Sequence, residues 1–154
     1  MKITYTSNWA KELLEKVTIT QEKYDLKSII LSDWFDHNPT TAEIFERMEK
    51  EGLDYCPPDA FNQIAETMKN GDWITLGMKP ILDRDGDPVV FSLYSVGDGL
   101  KLNGYIASPD IGWNAGRGFV FCLRKSSDPL TLSPSLESAI AEVKKAGYVI
   151  YKPI

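Results

Sequence analysis

The stretch WITLGMKPILDRDGDPVVFSLYSV, residues 73–96, decides the fold class. Before it, apolar residues recur every three or four positions. From Trp73 onward they recur every two, the period of a strand rather than of a helix. Trp73-Ile74-Thr75-Leu76 begins a strand expected to continue to Leu82. Asp85-Gly86 reads as a two-residue hairpin turn, because both central positions of a type I′ turn need positive φ. Val89 to Val96 returns with apolar residues on both faces, which places it centrally in a sheet. Gly97-Asp98-Gly99 turns again. Leu100, Leu102, Gly104 and Ile106 then alternate with Lys101, Asn103, Tyr105 and Ala107, a strand with one wet face. After the loop 108–116, Gly118–Leu123 turns Phe119, Phe121 and Leu123 inward. Hairpin connections require antiparallel pairing, so the expected class is α+β rather than α/β.

Upstream lies the helical part, about residues 7–71. Ser7 or Asn8 caps a first helix to about Val17, with Trp9, Leu13 and Val17 on one stripe. A second helix is expected from about Gln21 to Phe35, although Leu26, Ile29, Ile30 and Trp34 spread round its cylinder. Asn38-Pro39 breaks the chain, and Thr40 and Glu43 fit a capping box that opens a helix over 40–51. Ile44, Phe45 and Met48 form its apolar stripe, and Gly52 is its left-handed stop. Pro58-Asp59 starts another helix, which buries Phe61, Ile64, Ala65 and Met68 and ends at Asn70-Gly71. Downstream of the sheet part (about 73–124), Ser133-Pro134 opens a terminal helix to Gly147, and Tyr148–Tyr151 forms a short final strand. The whole chain, 1–154, thus reads as a single α+β domain: N-terminal helices packed with an antiparallel meander of about four strands, then a C-terminal helix and strand.

The composition, with 43% hydrophobic and 25% charged residues, is that of an ordinary globular chain. No apolar run is long enough to span a bilayer, and the opening Met1–Thr6 lacks an apolar signal core. Two cysteines, Cys56 and Cys122, make no disulfide framework, so a reduced cytoplasmic chain is expected. The formal net charge of −5 is unevenly placed. Residues 33–72 carry 10 acidic groups against Arg47, Lys50 and Lys69, while each flanking block balances at +1. Such a stretch argues against nucleic-acid binding, which needs clustered Lys and Arg. The helices 40–51 and 59–70 follow the order of a winged helix, but the second has one Lys and two acids and would repel phosphate.

Asp83, Asp85 and Asp87 invite a calcium reading, but Gly86 and Tyr94 do not fit the EF-hand spacing, so no metal site is expected. In the loop 112–118, three glycines surround Trp113, Asn114 and Arg117. There Arg117 offers a cation for an anion and Trp113 a stacking face. Neither the dinucleotide fingerprint nor the Walker motif is present, and no cofactor is expected. The only histidine is His37, no C-x-x-C occurs, and carboxylates near Cys56 would depress its reactivity, so no catalytic residue is assigned.

These features favour a small cytoplasmic, non-catalytic protein-binding module, of the inhibitor, immunity or adaptor type, that meets a basic partner through an acidic helical face. Its candidate residues are Glu43, Glu46, Glu49 and Asp54, with Trp113, Asn114 and Arg117 as a second contact patch. One alternative is a small enzyme or ligand-binding domain with an anion site at 112–118, where Asp36, His37 and Arg117 converge. Another is a structural subunit that assembles through a sheet edge.

Overall fold

The computed structural model describes residues 2–20, 22–97 and 99–123. The terminal helix and strand expected at 133–152 lie outside the described residues. The strands are β1 (Tyr5–Thr6), β2 (Leu26–Ile30), β3 (Leu53–Asp54), β4 (Trp73–Leu76), β5 (Ile81–Leu82), β6 (Pro88–Val96), β7 (Gly99–Ile106) and β8 (Gly118–Leu123). The helices are α1 (Asn8–Leu14), α2 (Thr41–Lys50) and α3 (Phe61–Thr67). The strands form one eight-stranded mixed sheet in the order β1-β7-β6-β4-β8-β2, with β3 also pairing β8 and β5 pairing β6.

This architecture corrects the expectation of N-terminal helices packed on a four-stranded antiparallel meander. The described part is mostly sheet, with three short helices. The helix expected over 21–35 is instead β2 followed by a 3₁₀ turn at Leu31–Asp33. Its apolar residues fit no single helical stripe, and the β-branched pair Ile29-Ile30 satisfies the sheet, where Ile29 lies opposite Phe119. The antiparallel rule fails at β8, because the long connection 107–117 carries the chain past β6 and lays β8 parallel to β4, with Thr75 opposite Phe119. β1 likewise runs parallel to β7.

Several local signals act as their chemistry dictates. Thr40 Oγ1 accepts the Glu43 N–H while the Glu43 carboxylate accepts the Thr40 N–H, a complete capping box. Ser7 caps α1, which ends sooner than Val17. The expected helix at 58–70 begins as a 3₁₀ turn at Pro58–Ala60 and becomes α-helical only at Phe61. The hairpin turn is centred one residue upstream of the expected position and has three loop residues rather than two. The Gly86 N–H bonds the Asp83 carbonyl, so Arg84 and Asp85 sit at its centre and Gly86, at φ +83°, follows.

Helices cover both sheet faces. α1 and α3 lie over the face that carries Phe91, whose ring meets Phe61 at 5.2 Å. On the other face Trp113 packs edge-on against Phe119 at 5.1 Å and donates its indole N–H to Thr41 of α2 at 2.7 Å. No helix among the described residues is long and apolar enough to cross a membrane.

Candidate functional site

β8 starts at Gly118, with the end of β2 on one side and the start of β4 on the other. Having no side chain, Gly118 leaves space where these three strands meet. A cleft of about 790 Å³ opens there, lined by Ser28, Ile30, Asp33, Asp72, Trp73, Asn114 and Arg117 among others. Its apolar wall is Ile30 and Trp73, respectively 48% and 43% exposed although both are large hydrophobic residues. The Arg117 guanidinium carbon sits over the Trp73 indole, 3.8 Å from the ring centre, and approaches Tyr105 at 5.2 Å and Trp113 at 5.7 Å. Such stacking suits a weakly hydrated planar cation. Arg117 makes no ion pair among the described residues, and its Nη1 is buried with no hydrogen-bond partner there.

The loop that delivers Arg117 is closed on itself. Asn114 Oδ1 accepts the Gly116 N–H at 2.8 Å, the Asn114 carbonyl accepts the Arg117 N–H, and Asn38 Oδ1 accepts the Ala115 N–H. Those amides are therefore spent on the loop rather than offered to an anion. Trp113 is 3% exposed, part of the core and not a free stacking face. The stacking residue is Trp73, which sequence reasoning placed only as a strand start. Asp33 and Asp72 were also missed as a pair. They are the first and last residues of the acidic stretch, and the fold returns both to one cleft.

The acidic helical residues lie elsewhere. Glu43 is committed to the cap and to His37 Nε2 at 3.1 Å. On the exposed face of α2, Glu46 pairs with Lys50 and Arg47 with Glu51. Glu49 and Asp54 are exposed. Internal i,i+4 pairs of this kind reduce the charge that α2 presents outward.

His37 gathers with Asp36 and Glu43, not with Arg117, and neither His37 nor Asp36 lines the cleft. Hydrogen bonds that the imidazolium donates to Asp36 first, then to Glu43, hold its charge and raise its pKa above the ordinary value. A raised folded value means the contribution of this cluster is fully present below about pH 6.5 and is lost as pH rises through the higher folded value. In an NMR titration, the His37 ring resonance is expected to move at a higher midpoint than in an unfolded peptide of the same sequence. A midpoint at or below the peptide's would refute the bridge.

Cys56 is 2% exposed, and its thiol donates to the Val120 carbonyl at 3.3 Å. Burial, with a smaller contribution from Cys122, pushes its pKa far up, so the cause is desolvation rather than the acidic neighbours expected from the sequence. Asp59 accepts from the Thr20 N–H, the Thr20 hydroxyl and the Tyr24 hydroxyl, each at 2.9 Å. Burial opposes its charge, but these donors outweigh it and hold the carboxyl below its usual range. Its role is to tether Thr20 and Tyr24 to the 3₁₀ turn that precedes α3. Asp83, Asp85 and Asp87 do bring carboxylates within 4.8 Å of one another. Asp83 nevertheless uses both oxygens to accept N–H groups, from Asp85, Asp87 and the Trp9 indole, and so serves the turn.

Compared with the models of known protein families, with curated proteins and with solved structures, the chain matches none.

Proposed function

We propose that the chain is a small, non-catalytic protein-binding module that receives a basic partner segment at the Trp73–Arg117 cleft. One observation carries this reading: the two ends of the acidic stretch, Asp33 and Asp72, line the same cleft as the exposed Trp73 and Ile30. Exposed Trp, Tyr and Arg are the side chains that dominate binding energies at protein interfaces, and carboxylates beside them select cationic partners and speed encounter. The acidic face of α2, with Glu46 and Glu49, then adds long-range attraction rather than the contact itself. A reducing cytoplasmic setting is part of this reading, since two cysteines in the sequence make no disulfide framework.

Selection of a random peptide library on the immobilised protein tests this reading. Peptides rich in Lys or Arg with an apolar neighbour are expected to enrich. Enrichment should vanish on the Asp33→Asn, Asp72→Asn double variant and survive Glu46→Gln, Glu49→Gln. Enrichment of acidic peptides, or indifference to the cleft variants, would reject it.

The buried, unpartnered Arg117 Nη1 favours a second reading, an anion site at the loop 112–118. In that case inorganic phosphate would bind the wild type and not Arg117→Gln.

A further inference from the structure

β2 is the terminal strand of the sheet among the described residues, and its geometry specifies a partner. Leu31 N–H bonds the Arg117 carbonyl and Leu123 N–H bonds the Asp25 carbonyl, both in register with the β2–β8 pairing. Because antiparallel ladders alternate, Lys27 and Ile29 direct their backbone groups toward β8. Leu26, Ser28 and Ile30 direct theirs away from it. Lys27, Ser28 and Ile30 are all exposed, and Ile30 is apolar. An edge of this kind is a template for another strand.

We propose that the β2 edge is a self-association surface, on which two copies of this chain pair antiparallel about a two-fold axis through Ser28. The segment is self-complementary about that point. Ser28 meets Ser28 on the axis. On either side, Ile30 of one copy faces Leu26 of the other, so the Ile30 N–H meets the Leu26 carbonyl and the two apolar side chains make a cross-strand pair. Lys27, of the residue type that commonly blunts a free edge, falls opposite Ile29 and not opposite its own copy, so like charges do not meet across the ladder. Farther out, Lys23 of one strand falls opposite Asp33 of the other, but Glu22 and Asp25 flank Lys23, so the apolar Leu26–Ile30 pairs and the backbone ladder, not charge, carry the pairing. The result is a closed two-fold interface, not an open filament, since each copy has this edge once among its described residues. The edge is five residues long, so the association is weak and concentration-dependent.

Sedimentation velocity of the full chain over a concentration series tests the proposal. The wild type is expected to shift from the monomer toward twice its mass. Ser28→Pro removes an outward N–H that the β2–β8 ladder does not use, and proline is tolerated at such edge positions. Ile30→Lys tests the same edge without touching the backbone; because Ser28 and Ile30 also line the cleft, self-association and peptide binding there exclude each other, and sedimentation is run without peptide. Each variant is expected to weaken association by at least about tenfold while melting like the wild type at low concentration. A wild type that stays monomeric to its solubility limit would overturn the proposal. So would self-association, of any size, that persists unchanged in both variants.

Discussion

Replacing Gly77 by alanine is expected to destabilise the fold by about 3 kcal/mol, the upper end of ordinary overpacking. A Cβ added at Gly77 would lie 2.1 Å from Phe121 Cε1 and 2.2 Å from Cδ1, so something must move. Gly77 cannot retreat, because its N–H bonds the Val120 carbonyl and its carbonyl accepts the Cys56 N–H, both at 2.8 Å. The Phe121 ring cannot swing freely either, since it is fully buried and stacked between Trp34 at 5.6 Å and Phe119 at 6.0 Å. Phe121→Ala alone is expected to cost about 3–5 kcal/mol through lost burial and a cavity. The two positions are in contact and should not be additive. Combining Gly77→Ala with Phe121→Ala should cost less than the two single changes summed, because the smaller residue at 121 frees the space the added Cβ needs. Chemical denaturation measures all four proteins; strict additivity would show that the two residues do not share this space.

The largest effect on function is expected at Trp73. Trp73→Ala should weaken binding of a selected basic peptide by about 2–4 kcal/mol, or roughly 30- to 700-fold, the range of an interface hot spot. The change removes an exposed apolar face and also the surface against which Arg117 lies. Its effect on stability should be much smaller, about 1 kcal/mol, from loss of the Trp73 indole N–H bond to Ser92 Oγ at 2.9 Å. Trp73→Phe keeps a ring for Arg117 and should retain most of the affinity. Arg117→Lys should not rescue Arg117→Ala, because a compact ammonium does not reproduce a flat stacked guanidinium. Isothermal titration with one peptide across these variants separates the outcomes. Equal losses for Trp73→Ala and Trp73→Phe would contradict a contact made through an aromatic face alone.

Elements with strong local chemistry were legible in the sequence. α2 announces itself through Thr40, Glu43 and Gly52, β6 through its apolar run on both faces, and β7 through its alternation after Gly97. β2 was not legible in the same way. Leu26–Ile30 is a short mixed segment, apolar at its ends and polar at Lys27 and Ser28, whose choice between helix and strand is made by Phe119 and Phe121, 90 or more positions from the residues they face. The parallel placement of β8 was hidden for the same reason, since a connection of this length does not reveal which neighbour the strand will join. In loop 112–118 the sequence singled out Arg117 and Trp113 together, whereas the structure places Arg117 in the cleft and Trp113 in the core. The ring nearest to Arg117 is Trp73, from the opposite end of the sheet part. The acidic stretch was legible as a quantity of charge. That its two ends, Asp33 and Asp72, share a cleft depends on β2 and β4 flanking β8, which no local pattern encodes.

The most direct measurement is an amide chemical-shift map of the isotope-labelled full chain titrated with a selected basic peptide. Binding at the cleft predicts shifts concentrated in residues 28–33, 71–74 and 114–118, with Thr41–Lys50 of α2 nearly still. Shifts centred on the exposed face of α2, with the Trp73 and Arg117 amides unmoved, would contradict the assignment of the cleft as the binding surface.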